Sequence, residues 1–562
     1  MRQLIECVPN FSEGRDMNII RQITDEIEKV SGVRLLDVDP GKATNRTVVT
    51  FVGTPLEVIE AAFQAIKKAS EVIDMSKHKG EHPRFGGTDV CPLVPVSGIT
   101  MEETAEFAHK LAERVGKELL IPVYCYENAA FKEERRNLAN CRAGEYEGLA
   151  RKLEDPEWKP DFGPVKFNPR TGVTAIGARD FLVAYNINLN TTSTRRANAV
   201  AFDIREKGRP VREGNPVTGK IKKDKNGEEI WEPGALKAAK AIGWFIEEYG
   251  IAQVSVNLTN INITPVHIAF EEGCKSAQNR GMRVTGSELV GLIPLKAMTD
   301  AGKYFLRKQN RSVGVAEKEL VRIAIKSLGL DDLKPFNPKE KIIEYLLEDP
   351  NDKKLISMTG EGFVNETASE SAAPGGGSVS AYIGALGIAL GTMVANLSAH
   401  KAGWDDRWEE FSEWAEKGQN IKDELLFLVD EDTRSFNRVM EAFGLPKESG
   451  EEKKLRTAAI QAATKYAVEV PFRTMQRAFE SMEVIRAMAE TGNPNSVSDA
   501  GVGALCARAA VMGAYLNVKI NVPSLNDKVF VADILKRGEE ILKNTQKAET
   551  AILEIVKKKI GS

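Results

Sequence analysis

Cysteine is scarce in this chain. Six occur in 562 residues, at Cys7, Cys91, Cys125, Cys141, Cys274 and Cys506, and no two form a CxxC pair. That excludes a disulfide scaffold, makes a non-zinc protein the default, and points to a reducing compartment. An excess of one charge is also missing. Lys and Arg number 77 against 80 Asp and Glu, for a net charge of −3. General nucleic-acid binding needs a concentrated basic surface and is not expected. The opening MRQLIECVPNFSEG lacks the apolar core of a signal peptide. The expectation is a cytoplasmic protein. What is present is ordinary globular composition, 42% hydrophobic and 28% charged, which argues against a disordered or fibrous chain. The length predicts roughly four domain-sized units.

Charge is missing altogether from Ala372 to Ala399. The length suffices to cross a bilayer. But the run is rich in Gly, Ala and Ser, which lower its hydrophobicity and let helices approach closely. It reads better as the buried central helix of a bundle, with no membrane association. No second run of that kind stands out.

Hydrophobic periodicity separates two architectures. The first part alternates strands and helices. Residues 2–7, 34–39, 47–53 and 90–96 read as strands, and 16–30, 55–73 and 102–119 as helices. This β-α-β-β-α-β order is the split ferredoxin-like motif. A second round begins near Gly172. Its strands are expected at 181–189, 251–259 and 289–294, and its helices at 193–202 and 265–280. Between them, residues 205–232 are polar and contain Asn226-Gly227, a strong hairpin signal. The pattern breaks at Glu348-Asp349-Pro350-Asn351-Asp352-Lys353. Beyond it only helical periodicity remains, over 378–399, 404–443, 452–490, 499–516 and 526–559. The fold class is therefore α/β, as two ferredoxin-like α/β-sandwich subdomains, followed by an all-α helical bundle. The expected boundaries are 1–178, 179–345, a linker at 346–356, and 357–562.

Only five histidines occur: His78, His82, His109, His267 and His400. His78-x-x-Glu81-His82 matches a zinc-protease pattern literally. That motif requires a helix, and Gly80 inside it with Pro83 directly after it disfavours one. A loop presenting a single imidazole for acid–base work fits better. A purely structural loop histidine fits the residues equally well. Asp39 ends a strand before Pro40, where it can orient an imidazole, hold a cationic substrate group or simply start a turn. Arg179 enters a strand, where it can grip a carboxylate or lie on the surface.

In the helical region, successive residues advance about 100°. Ile421, Leu425, Leu428, Phe436, Val439 and Phe443 share one narrow stripe, and Asp432 falls in its middle. Asp430 is expected on the opposite side and Glu431 on a flank. An acid centred in an apolar stripe pays for its desolvation with a raised pKa, which favours a proton-donating form. A buried Asp paired to a cation or to backbone is the alternative. Gly375, Gly376, Gly377 and Ser378 precede the uncharged helix, either as an anion-holding turn or as a plain cap.

Cys7-Val8-Pro9-Asn10-Phe11-Ser12-Glu13-Gly14, Asn45-Arg46-Thr47, the Gly80–Asp89 loop with Cys91-Pro92, and Gly177-Ala178-Arg179-Asp180-Phe181 with Asn186-Ile187-Asn188 resemble glutamate formiminotransferases over residues 1–345. Ala373–Ser378, Val429-Asp430-Glu431-Asp432 with Phe436, Gly444-Leu445-Pro446-Lys447, Ser498-Asp499 and Gly513-Ala514-Tyr515 with Asn517 resemble formimidoyltetrahydrofolate cyclodeaminases over residues 356–562. The resemblance implies a two-activity enzyme of histidine breakdown and one-carbon metabolism. The first activity moves the formimino group of N-formimino-L-glutamate to N5 of tetrahydrofolate, the co-substrate, with or without a polyglutamate tail; the second closes the product to 5,10-methenyltetrahydrofolate with loss of ammonia. It implies no metal. It assigns His82 as catalytic base with Asp39 and Arg179 around it, and Asp432 as the catalytic acid of the second half. It puts folate along Gly163, Pro164, Val165, Lys166, Phe167, Asn168, Pro169, Arg170, Thr171 and Gly172. Similar full-length enzymes are homo-oligomers, ring-like octamers. Two alternatives stay open on sequence: only one half active, or a folate-binding scaffold without turnover.

Overall fold

The computed structural model describes residues 3–41, 45–80, 84–214, 219–347 and 354–561. Its architecture is α/β followed by helical. Two compact units result: Met1–Ala297 with Leu328–Leu347, and Met298–Ser327 with Glu348–Ser562.

The first unit opens with a seven-stranded sheet made of β1 (Leu4–Cys7), β2 (Asn10–Phe11), β3 (Arg34–Gly41), β4 (Arg46–Gly53), β5 (Thr88–Ser97), β6 (Val123–Glu127) and β7 (Thr174–Ala178). β1 and β2 lie between β4 and β5, and β3 pairs outside β4, all antiparallel. β7 and β6 continue the sheet in parallel beyond β5. Helices α1 (Met17–Glu28), α2 (Pro55–Val72) and α3 (Met101–Glu118) cover one face. Their starts are chemically set: Thr54 with Glu57 and Thr100 with Glu103 form capping boxes, and Pro55 occupies the first turn. Their apolar stripes meet Ile5, Cys7, Phe51, Leu93 and Ile176. The strand alternation sends Asn10, Arg46, Val90 and Tyr126 to the opposite face. There α4 (Leu138–Arg142) and α5 (Glu145–Glu154) close over Tyr124 and Ala175 at one end only. The rest of that face is available for a site.

The second sheet of this unit runs β11-β12-β8-β13, antiparallel throughout. Its strands are β8 (Val183–Leu189), β11 (Ala239–Ile246), β12 (Ile251–Leu258) and β13 (Val284–Val290), and α6 (Thr194–Ile204) and α7 (Val266–Asn279) accompany it. Two expectations change here. The last strand is Val284–Val290, not 289–294; the apolar Leu-Ile-Pro run instead leads into α8 (Leu295–Lys308). β11 escaped sequence reading because its pattern is inverted. Its inward residues are Ala239, Ala241 and Gly243, while Ile242 and Trp244 face out at 57% and 40% exposure. The small residues let α6 approach: a Cβ on Gly243 would lie 2.2 Å from the Asn198 amide nitrogen. The polar insertion forms the expected hairpin, with β9 (Arg209–Pro210) paired to β10 (Trp231–Glu232) and Asp224 accepting the amides of Asn226 and Glu228.

In the second unit, α13 (Gly376–Ala399), α14 (Trp408–Gly444), α15 (Gly450–Thr491), α16 (Val497–Asn521) and α17 (Lys528–Ile560) form a bundle. The short helices α10 (Pro338–Lys341) and α11 (Ile343–Leu346) close the first unit, and α12 (Gly360–Thr367) leads into the bundle. The bundle also holds the loop between α8 and α9 (Glu317–Leu328), residues assigned by sequence to 179–345. Val313 N–H donates to Ser412 Oγ at 3.0 Å, and the Gly314 carbonyl accepts from Asn396 and Gln419 at 2.8 and 3.1 Å. α13 is central, flanked by α14 and α16. The expectation of a single apolar run is corrected: Pro494–Ser524, like Gly376–Ala399, is long and apolar enough to cross a membrane. The charges of α16 are so widely spaced that its mean hydropathy survives them.

Candidate active sites

A cavity of about 840 Å³ opens on the free face of the first sheet. Asn10, Arg46, Val90, Pro92 and Tyr126 form its floor, α4 and the turn after it form one wall, and Arg179, Asp180, Lys240 and Asn260 complete it. Asp89, 1% exposed, organises the floor. It accepts Arg46 Nη2 at 3.0 Å and Arg142 Nε at 3.2 Å, with a second contact from Arg142 Nη2. Burial lowers the Arg46 pKa, opposed by Asp89. Four cations line a concave surface, which suits a ligand with more than one carboxylate.

Arg179 is placed here by its strand entry: its N–H donates to Leu93 O at 3.0 Å and its Nη1 to Asp180 O at 3.0 Å. Asp39 sits on edge strand β3 in register with Val48, as Asn10 does from the other side. It shares the cavity's sheet face but is exposed and does not line the cavity. His82, with Glu81 and Pro83, lies outside the described residues. The residues flanking it are anchored to the 163–172 segment: Met75 N–H bonds Arg170 O, Gly87 N–H bonds Thr171 O, and Gly86 bridges to Gly172. The segment expected to hold folate thus borders the histidine loop, while none of it lines the 840 Å³ cavity.

A second cavity, about 300 Å³, lies in the helical unit. Gly375, Gly376 and Gly377 open it, Asp432, Phe436, Val439 and Phe443 line it along one face of α14, and Asn517 and Asn521 close it from α16. Ser378 is fully buried, and its Oγ donates to Val429 O at 2.9 Å and to Asp432 Oδ2 at 3.1 Å. Burial raises the Asp432 carboxyl above the ordinary range, and the Ser378 hydroxyl and N–H partly oppose it. The stripe reading needs one correction. Ile421, Leu425 and Leu428 are core, but Phe436 and Phe443 are 47% and 50% exposed and face the cavity. Asp430 and Glu431 are buried as well. Asp430 accepts Leu355 N–H at 2.6 Å; Glu431 accepts Tyr466 Oη at 2.6 Å and pairs with Arg434 and Arg438. Among the described residues no cluster of three or more His, Cys, Asp or Glu could hold a metal ion.

Three family models match in order: "Formiminotransferase domain, N-terminal subdomain" over 4–179, "Formiminotransferase domain" over 184–348, and "Formiminotransferase-cyclodeaminase" over 359–540. A formimidoyltransferase-cyclodeaminase of Gallus gallus is 43% identical over 560 residues, covering 100% of both chains. This chain belongs to the formimidoyltransferase-cyclodeaminase family. Shorter relatives match its halves separately. A glutamate formimidoyltransferase of Streptococcus pyogenes is 41% identical over 310 residues, 55% of this chain and 95% of its own. A methenyltetrahydrofolate cyclohydrolase of Methylorubrum extorquens is 37% identical over 203 residues, 36% of this chain and 98% of its own.

Within this chain, sequence reasoning missed three groups. Arg142 comes from a five-residue helix that carries no periodic signal. Glu6 lies on the cavity face of β1, 5% exposed. Burial pushes its carboxyl up to about 7, with Arg179 opposing. Its signal was an acid alternating with Ile5 and Cys7 in a buried strand. Asn517 was noted only as part of a motif; its amide nitrogen lies 3.4 Å from a Cβ built on Gly376.

Proposed function

We propose that the chain transfers the formimino group from N-formimino-L-glutamate to tetrahydrofolate in its first unit. Its helical bundle then cyclodeaminates the product to 5,10-methenyltetrahydrofolate and ammonia. The carrying observation is the Asp432 carboxyl, raised by burial and held by Ser378 at the mouth of a cavity walled by Phe436 and Phe443. In the first step N5 attacks the amidine carbon and loses a proton, and the bond to the glutamate nitrogen breaks. His82 takes that proton in this reading and passes it to the departing glutamate nitrogen, which leaves as the neutral amine, with Arg179 and the Asp89-held arginines receiving carboxylates. Folate lies along 163–172, beside the histidine loop. In the second step N10 attacks the formimino carbon, and the nitrogen departs as ammonia only once protonated. A neutral Asp432 supplies that proton. Tetrahydrofolate is co-substrate, and fusion raises the local concentration of the intermediate for the second site.

The test is turnover of purified protein with N-formimino-L-glutamate and tetrahydrofolate. Glutamate, ammonia and the methenyl product should appear in equal amounts. Glutamate alone would leave a transferase with a structural Asp432, and no product would leave a scaffold.

Finer points belong to the same reading. Each α/β subdomain is ferredoxin-like: within each β-α-β-β-α-β run the strands lie in the order 2-3-1-4. The chain is a cytoplasmic homo-oligomer, the octamer implied by resemblance. Supporting this, α13 exposes Leu386, Met393 and Leu397, and α16 exposes Val502, Leu505, Met512, Leu516 and Ile520. Such apolar stripes call for a partner surface. Leu516→Glu should shift the mass in light scattering to a smaller species. A wild-type monomer would refute the oligomer, and pelleting with lipid vesicles would assign those stripes to a membrane.

A further inference from the structure

One wall of the first cavity is α4 with the turn after it, Ala139 to Glu145. Five residues are too few for a helix to hold itself together in water. Gly144 follows with φ of +88°, so the chain leaves the helix at once. Asn137 caps Ala139 N–H, and Asn140 and Cys141 bond back to Glu134 O and Arg135 O, so the preceding turn holds the start of α4; the C-terminal end, which carries Arg142 to Asp89, needs a tie of its own. The fixing group comes from α5. Lys152 Nζ donates to the carbonyls of Asn140 at 2.8 Å, Cys141 at 2.7 Å and Ala143 at 3.1 Å. Two are carbonyls from the last turn of α4 and the third belongs to the residue that follows it, so they lie on both sides of Arg142; Asn140 O also accepts Ala143 N–H at 3.3 Å. The same ammonium rests 4.0 Å from the Trp158 ring centroid. Its own side chain does not line the cavity.

We infer that Lys152 is the positioning residue of the transferase cavity, locking the end of α4 so that Arg142 stays on Asp89 and faces the substrate carboxylate. This rests on reading that cavity as the transferase site.

The inference carries a pH signature. Lys152 faces the Cys141 thiol and the Arg135 guanidinium, itself paired to Asp161. Burial, with Arg135 adding to it and Cys141 opposing, brings the ammonium down to about 8. The thiol is pushed up to about 11 by its own burial and stays neutral over the same range. Above about 8, Lys152 loses a proton and with it one of three donors, and α4 loosens.

The experiment uses the full chain. Transferase KM and kcat for N-formimino-L-glutamate are measured from about pH 6.5 to 9.5. The proteins are wild type, Lys152→Met, Lys152→Arg and Arg142→Ala. Cyclodeaminase turnover on supplied 5-formiminotetrahydrofolate reports folding of the rest. Wild-type KM should rise above about pH 8. Lys152→Met should raise the neutral-pH KM about 10-fold while leaving kcat within about 2-fold, and its KM should not rise further with pH. Lys152→Arg, which cannot deprotonate, should keep the wild-type KM and lose the alkaline rise. A wild-type KM and pH profile in Lys152→Met, with Arg142→Ala impaired, overturns the positioning role and leaves the site reading standing. An alkaline rise retained in Lys152→Arg also overturns it. Neither Lys152→Met nor Arg142→Ala impaired overturns the site reading and the inference together.

Discussion

In Gly377→Ala the added methyl would lie 2.1 Å from Oδ1, 2.5 Å from Cγ and 2.6 Å from Oδ2 of Asp432. Nonbonded heavy atoms rest at about 3.5 Å, so the whole carboxyl must retreat by about 1 Å. It cannot do so and keep Ser378. That hydroxyl is tied in turn to Val429 O at 2.9 Å, and the α13 backbone around it is buried. Each hydrogen bond lost between neutral groups costs about 0.5–1.5 kcal/mol. A misplacement of about 1 Å costs about 100-fold in rate. Ammonia release from supplied 5-formiminotetrahydrofolate should therefore fall about 100-fold in Gly377→Ala. Glutamate release by the first unit should be unchanged. The crowding itself should cost about 1–3 kcal/mol of stability in the helical unit, readable by urea denaturation. Wild-type ammonia release from a folded Gly377→Ala protein would refute the placement of Asp432 as the acid.

Glu6 links fold and pH. Its folded-state carboxyl is pushed up to about 7, against an ordinary 4.5, so the folded chain holds that proton more tightly. The resulting stabilisation is complete below about 4.5 and lost as pH rises through 7. Glu6→Gln removes the dependence: its stability relative to wild type should grow by about 3 kcal/mol between pH 4.5 and 8. A difference that does not change with pH in urea denaturation would contradict this. Asp89→Asn leaves Arg46 and Arg142 without their shared counter-charge. It should destabilise the first unit by about 3–5 kcal/mol and depress glutamate release, while ammonia release from supplied intermediate persists. Equal loss of both activities would show that Asp89 matters to the whole chain rather than to this cavity.

Periodicity made the two architectures legible because each helix and strand writes its own repeat. The bundle helices α13 to α17 fall within a few residues of expectation. Asp432 was legible for a local reason, its place among Ile421, Leu425, Leu428, Phe436 and Phe443. What the stripe could not show is that it passes from core into cavity between Leu428 and Phe436. Nor could it show why Asp430 and Glu431 are buried, since their partners Leu355 and Tyr466 come from other elements. The first cavity was opaque for the same reason. Asp89, Arg46 and Arg142 lie far apart in sequence and meet only through sheet pairing and the α4 turn. β11 was hidden by its small inward residues, which invert the hydropathy signal that marks the other strands.

The most direct measurement compares wild type with Asp432→Asn, both supplied with N-formimino-L-glutamate and tetrahydrofolate, following glutamate and ammonia together. Wild type should release the two in equal amounts. Asp432→Asn should release glutamate at the wild-type initial rate, accumulate 5-formiminotetrahydrofolate and release almost no ammonia. Ammonia release at the wild-type rate from Asp432→Asn would contradict the account, because the buried carboxyl would then not be the group that protonates the departing nitrogen.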